Sequence, residues 1–436
     1  YVGKHYLKFR DGSYWIKGGA DSPEDFLAYH GFENTPKARH SYDSHVRDWQ
    51  PGDPDWGGGK GKGIIGALNY LASQHVNSIY FLPMNIGGDG KNVWPYMGEI
   101  DGNGSGNNDN LHFDVGKLRQ WEIVFDHAQR KGIFLHFVLN EGEESNKREL
   151  DDSELGVERK LYYRELVARF AHHLALQWNL CEEYNIRYLR LAPELVKTYA
   201  QYIHDVDPYD HPITVHHAST VKKAWTPFLG YRLFPITSFQ TQELSDVDFW
   251  FRESESAGFP QVVGMDELHP DHCDSENADR HRREYVWAIY LSGGIYEAIL
   301  DNLTRTEDFR KYEQHWQNIW RARRFLEQNL PFWEMRPMDE LITGESQYTG
   351  EVNLCEGQVF AKEGEVYAVY LPVAEKTGTL DLSRASGTFV QRWYNPRTGK
   401  FEKSSREIKG GEAVELGSPP GKASEDWVVL IARLKK

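Results

Sequence analysis

From residue 14 to about residue 330 the chain alternates short apolar runs with helical patterns, about eight times over. That rhythm leaves few choices of fold. Each strand that is followed by a helix must lie parallel to the strand before it, and a sheet built this way is buried on both faces. The strand-like runs are residues 14–20, 78–82, 133–139, 174–180, 213–217, 236–240, 262–265 and 294–300. Apolar residues at helical spacing fill the gaps, as in Leu118, Trp121, Val124 and Phe125, and predict helices over 64–74, 115–131, 160–170, 194–204, 247–257, 282–290 and 308–330. The expected class is α/β, a closed (β/α)8 barrel over residues 1–340.

After residue 340 the texture changes. Runs such as Val366-Tyr-Ala-Val-Tyr-Leu and Trp427-Val-Val-Leu-Ile are separated by turns such as Asn395-Pro-Arg-Thr-Gly. Short strands with turn punctuation predict an antiparallel β-sandwich over residues 341–436. Two units suit a length of 436 residues, which is too long for one ordinary core.

A charged fraction of 26% and a hydrophobic fraction of 40% describe a folded enzyme rather than a disordered chain. The net charge of −15 argues against nucleic acid as a partner. No apolar run reaches the roughly 18 residues of a membrane span. The three cysteines show no C-x-x-C spacing, which argues against a zinc ribbon or a disulfide framework. Aromatic residues reach 14%, with 14 Trp and 24 Tyr. Most of these rings belong in a core, but a surplus suits stacking on the C–H faces of sugars. The chain starts at Tyr1 without a leader. A secreted or periplasmic protein is expected, its leader and upstream segment absent from this chain.

Two strand-like runs end in paired acids: Trp178-Asn-Leu-Cys-Glu182-Glu183 and Val262-Val-Gly-Met-Asp266-Glu267. Carboxylates are rarely buried without partners. Two strands that each run into two acids fit a site made of one carboxylic acid and one carboxylate, the minimum equipment for cleaving a glycosidic bond. The bland reading pairs one acid of each set with an arginine such as Arg187 or Arg190. Other polar residues just past strand ends are Asn85 and Asp89, the third acid Glu141, His216 and His217, and Gln240 with Gln242. These are candidates for binding sugar hydroxyls, and Trp94, Tyr96 and Trp56 are candidate stacking platforms in long loops. His136, inside a strand, is expected in the core.

No cofactor and no metal is expected. Residues 101–109 have the composition of a calcium loop but lack its bidentate Glu. Residues 57–63 lack P-loop spacing. Nothing in His269-Pro-Asp-His272-Cys273 fixes a coordination geometry.

Several stretches carry a resemblance: residues 14–29 (YWIKGGADSPEDFLAY), 45–56 (HVRDWQPGDPDW), 61–89, 121–141, 162–183 and 207–217 (DPYDHPITVHH). Through them the chain resembles a family of glycoside hydrolases whose barrel is followed by a C-terminal "collagen-binding" sandwich. That family's upstream sandwich is absent here. The barrel is also similar to the clan of retaining glycosidases in which Trp-x-x-x-Asn-Glu ends strand four. The resemblance implies Glu183 as acid/base, with Glu182 in place of the Asn. It implies Glu267 as nucleophile after strand seven, with Asp266 as runner-up. Ser292-Gly-Gly-Ile departs from the Gly-Gly-x-Gly turn of such families. The implied activity is double-displacement hydrolysis of a poly- or oligosaccharide. The alternatives are a barrel that binds carbohydrate without turnover, and a polysaccharide lyase with a His or Tyr base.

Overall fold

The computed structural model describes residues 1–35, 38–89, 92–98, 108–268 and 270–434. Eight parallel strands form one curled sheet: β1 (Gly18–Ala20), β2 (Ser78–Phe81), β3 (Phe134–Val138), β4 (Leu176–Asn179), β5 (Ile213–Thr214), β6 (Phe239–Gln240), β7 (Val263–Glu267) and β8 (Gly294–Ala298). Their spatial order is β5-β4-β3-β2-β1-β8-β7-β6. The remaining seam, between β5 and β6, is joined by a parallel bridge from His216 to Ser238, which closes the barrel. The strands are short and buried on both faces, as their near-continuous apolar runs require.

Helices on the outside are Lys62–Ser73, Val115–Arg130, Val157–Phe170, Pro193–Val206, Ser245–Ser256 and Glu313–Asn329. Asp114 caps the second of these by accepting the Lys117 N–H at 3.0 Å, and Pro193 opens the fourth at a position that needs no N–H.

The structure departs from the sequence reading in four places. Residues 14–20 are not one strand. Tyr14–Trp15 pairs with Tyr6–Lys8 in a small antiparallel sheet, and only Gly18–Ala20 enters the barrel. The helix expected over 282–290 is a helix at Ala278–His281, a wide π turn at Arg282–Val286, and a helix at Trp287–Leu291. Glu144–Glu149 is a short polar helix without an apolar stripe to announce it. Lys400–Lys409 is a long strand of mostly exposed polar residues, so no alternation marked it.

The C-terminal unit has a six-stranded antiparallel sheet and a three-stranded one. In the six-stranded sheet the period-two alternation assigns the two faces. Phe360, Val366, Ala368, Tyr370, Val428 and Leu430 join the barrel's core. Val359, Tyr367, Val369, Trp427, Val429 and Ile431 pack inside the sandwich with Ile342 and Leu380 of the other sheet. Trp287 stacks on Tyr370 with ring centroids 5.6 Å apart. Beside that contact, buried Arg282 donates to Asp426 at 2.9 and 3.2 Å. No helix among the described residues is long and apolar enough to cross a membrane.

Candidate active site

The polar residues past the strand C-termini meet at one end of the barrel. A carboxyl oxygen of Glu182, one of Glu267 and a ring nitrogen of His216 all lie within 4.8 Å of one another. Both acids are buried. Tyr80 Oη donates to Glu182 Oε1 at 2.8 Å. Burial pushes the Glu182 carboxyl well above its ordinary value, and the nearby charges of Glu267 and Glu183 push it further.

His216 links the two strand ends. Its Nδ1 accepts the Glu183 backbone N–H at 3.2 Å, so the ring proton sits on Nε2. Nε2 faces Glu267 Oε2 at 3.5 Å. Burial lowers His216 to about 4, against the pull of Glu267, so the ring is neutral near pH 7. Asn179, the last residue of β4, orients this part. Its Oδ1 accepts the His216 N–H at 3.0 Å, and its Nδ2 donates to Ser238 Oγ at 3.0 Å.

Glu183 takes a different direction from Glu182. It adopts φ +39°, which turns the chain out of line with β4. Gln240 Nε2 donates to Glu183 Oε1 at 3.0 Å, and Lys147 Nζ holds the Glu183 carbonyl at 2.8 Å. Glu183 is half-buried, so it faces the mouth of the barrel. His217 is fully buried, and its Nε2 accepts the Gln240 N–H at 3.2 Å. It supports Gln240 from behind and is not presented to the opening.

Asp266 points inward, as the alternation of β7 demands for the neighbour of Glu267. Its carboxyl lies with His136 and Glu297 in a second group whose ligand atoms are within 4.8 Å of one another. Burial raises Asp266 to about 8, with Lys17 opposing and Glu297 adding. Below it Lys17 Nζ meets Glu297 Oε2 at 2.6 Å, and His136 Nδ1 meets the same oxygen at 2.7 Å. The Ser78 hydroxyl donates to the other Glu297 oxygen. His136 is core, as expected, but it is part of a polar floor. Gly19 makes room for that floor: a Cβ there would lie 2.6 Å from Ser78 Cβ and 2.9 Å from Glu297 Cγ.

Glu141 is buried beside Glu182, and half-buried Glu24 completes a group of three acids with carboxyl oxygens within 4.8 Å. Glu141 comes so close to the chain at Gly88 that a Cβ there would overlap its Oε2. Burial first, then Glu143, Glu182 and Asp89, raises Glu141 well above the carboxylate range, and Glu143 is raised to about 7. This crowd of acids cannot all ionise together. The mouth therefore offers carboxylic acids and carboxylates side by side, which is what two-carboxyl hydrolysis uses.

Four sequence-derived candidates have other work. Asn85 is buried and its Oδ1 accepts the Asn92 and Val93 N–H groups at 2.9 and 2.7 Å, which folds the loop on itself. Trp94 is buried, with Lys117 Nζ 4.2 Å from its ring centre, so it offers no open stacking face. Tyr96 is likewise buried, and Trp56 stacks on Phe32. Asp89 is exposed and acts through its charge on Glu141 and Glu143. His269 and residues 101–107 of the calcium-like stretch lie outside the described residues. Sequence reading missed Glu24, Tyr80, Lys17 and Glu297. Glu24 lies in the loop four residues past the end of β1, within reach of the strand-end rule. Lys17, Tyr80 and Glu297 sit before or inside strands, where no such rule applies.

Residues 340–432 match the family described as "Putative collagen-binding domain of a collagenase". No curated protein matches the chain by sequence. The fold is that of barrel glycoside hydrolases with a C-terminal β unit. A family 5 glycoside hydrolase from Bacteroides vulgatus ATCC 8482 is similar at a TM-score of 0.68 and 15% identity, over 99% of this chain and 92% of that one. A second structure, named simply as a glycoside hydrolase, gives 0.69 and 15% over 99% and 96%. A family 27 β-L-arabinopyranosidase from Geobacillus stearothermophilus gives 0.51 and 11% over 96% of each chain.

Proposed function

We propose that this protein is a glycoside hydrolase that cleaves a poly- or oligosaccharide by double displacement. The observation that carries the reading is the cluster of Glu182, Glu267 and His216 atoms within 4.8 Å at the strand-end mouth of the barrel, with Glu183 held beside it by Gln240. Retaining hydrolysis uses a nucleophile and an acid/base about 5–5.5 Å apart. The double-displacement reading rests on Glu183 and Glu267 standing at the ends of strands four and seven, with Glu182 packed between them and His216. Glu267 attacks the anomeric carbon, assisted by the His216 Nε2–H that steadies its charge. Glu183, facing the opening, protonates the leaving oxygen and then takes a proton from the incoming water. Glu182 stays protonated and neutral, so it crowds Glu267 without a second negative charge. Asp266 stays on the floor and supports β7.

The test is a reducing-end assay on a broad polysaccharide panel with wild type and the Glu183→Gln, Glu182→Gln and Glu267→Gln variants. Wild-type hydrolysis that falls 100-fold or more (about 10²–10⁴ for a lost general acid) in Glu183→Gln and Glu267→Gln supports the assignment. Full activity in Glu183→Gln with loss in Glu182→Gln moves the acid to Glu182. Ultraviolet-absorbing unsaturated products identify a lyase. Sugar binding without turnover in every protein identifies a binding barrel.

A further inference from the structure

A second cluster of reactive side chains shares no residue with the acids at the barrel mouth. Cys273 follows β7 in a loop that is pinned to the end of β8: its N–H donates to the Ile299 carbonyl at 2.9 Å, and its carbonyl accepts the Asp301 N–H at 2.8 Å. His281 ends the short helix Ala278–His281, and His315 lies in the first turn of Glu313–Asn329. All three side chains are buried. Cys273 Sγ lies 3.3 Å from His281 Nδ1, and one ligand atom from each of the three residues falls within 4.8 Å of the others.

Each histidine has an outer partner that leaves one nitrogen for the cluster. His315 Nε2 donates to the Asp274 carbonyl at 2.8 Å, so its Nδ1 carries a lone pair. His281 Nε2 faces Asp271 Oδ2 at 3.5 Å, and Asp271 is itself held by Arg280 through two contacts of 2.6 Å. Ligating histidines are oriented in this way, by a carbonyl or carboxylate on the far nitrogen. Tetrahedral zinc with Zn–S of about 2.3 Å and Zn–N of about 2.0 Å sets sulfur and nitrogen about 3.5 Å apart. The 3.3 Å separation of Cys273 Sγ and His281 Nδ1 is close to that edge. The Tyr296 hydroxyl, 3.8 Å from the sulfur, is the oxygen on offer for a fourth position.

We propose that Cys273, His281 and His315 bind one zinc ion in a closed structural site. The ion staples the loop after β7, the strand that ends in Glu267, to the last helix of the barrel. Around Cys273 the sequence offered only the contiguous run His269-Pro-Asp-His272-Cys273 as a metal candidate. The fold brings His281 and His315 to Cys273.

The test uses the full chain, stripped of metal and titrated with Co²⁺ as a spectroscopic probe and then with Zn²⁺. The expected result is one equivalent of Co²⁺ with a thiolate-to-cobalt charge-transfer band, its displacement by Zn²⁺, and a thermal midpoint raised by Zn²⁺. Cys273→Ser should abolish the band, since Cys181 Sγ and Cys355 Sγ are each turned to backbone carbonyls. Asp271→Asn should weaken Co²⁺ binding about 10–100-fold. If Cys273→Ser does not fold, His315→Gln keeps the thiol and should weaken binding at least tenfold. No charge-transfer band in wild type, a band unchanged in Cys273→Ser, or unchanged affinity in His315→Gln overturns the proposal and leaves a hydrogen-bonded thiol–imidazole cluster. None of these readouts depends on hydrolysis.

Discussion

Replacing Lys17 by methionine tests the floor beneath the proposed active site. Lys17 Nζ meets Glu297 Oε2 at 2.6 Å with side chains only 1% and 0% exposed. Burial alone would raise the Glu297 carboxyl, but Lys17 first and His136 next overcome it and hold the group at about 2, against 4.5 for a free side chain. That difference corresponds to about 3 kcal/mol of folding stability, at about 1.36 kcal/mol for each tenfold change. The sign follows from the direction. A depressed carboxyl stabilises the folded state above pH 4.5, and the contribution drains away as pH falls toward 2. Methionine fills much of the lysine's volume but leaves Glu297 with a buried charge and neutral donors only. The expected loss at neutral pH is about 3–5 kcal/mol, the cost of breaking a buried pair. The assay is urea unfolding followed by tryptophan fluorescence. The double variant Lys17→Met/Glu297→Gln removes both charges and should recover most of the loss, so the two substitutions are strongly non-additive. A loss below about 1 kcal/mol in the single variant, or simple additivity in the double one, refutes the reasoning, because it would mean the pair is not desolvated as drawn.

Three further outcomes follow from the same geometry. Asp266 is raised to about 8, so the folded protein keeps a proton that the unfolded chain releases near 3.8, and stability falls as pH rises through that window. Asp266→Asn should therefore gain stability over wild type near pH 8 and match it near pH 4, and equal stability at both ends in chemical denaturation argues against the buried acid. Asp426 is fully buried between Arg282 and Arg397, at 2.9 and 2.8 Å, so Asp426→Asn should cost about 3–5 kcal/mol and make the sandwich the first region cut in limited proteolysis. Gly19→Ala would set a Cβ 2.7 Å from the Ser78 carbonyl oxygen and 2.9 Å from Glu297 Cγ; it should cost about 1–3 kcal/mol, and an unchanged thermal midpoint would show that the floor has slack.

Much of the architecture was legible because strands and helices write their periods into the chain locally. Seven of the barrel strands followed from apolar runs of the right length. β1 was placed only roughly, since Gly18-Gly-Ala has almost no side chains to pattern. Gly19 leaves room there for Glu297, its register partner on the neighbouring strand β8. The rim position of Glu182, Glu183, Glu267 and His216 was also legible, because residues past a strand's C-terminus in such a barrel face its open end. What separates neighbours was not. Glu182 and Glu183 are adjacent in sequence, yet one is buried against Tyr80 and Glu267 while the other is held at the mouth by Gln240. Between them the chain turns at Glu183, whose φ is +39°. Trp94 shows the opposite error, for a loop tryptophan reads as a stacking platform until Lys117 is seen to cover its ring.

The sequence by itself determined the barrel, the sandwich and the ring of polar residues at the strand ends, since each depends on patterns a few residues long. The tertiary structure alone decided which ionisable groups share a low-dielectric space. Lys17 and Glu297 are 280 residues apart and meet only because β8 pairs with β1. Cys273, His281 and His315 meet only because the last helix packs on the loop after β7. Protonation state and ion binding depend on those distances and on burial, and chain closure sets both.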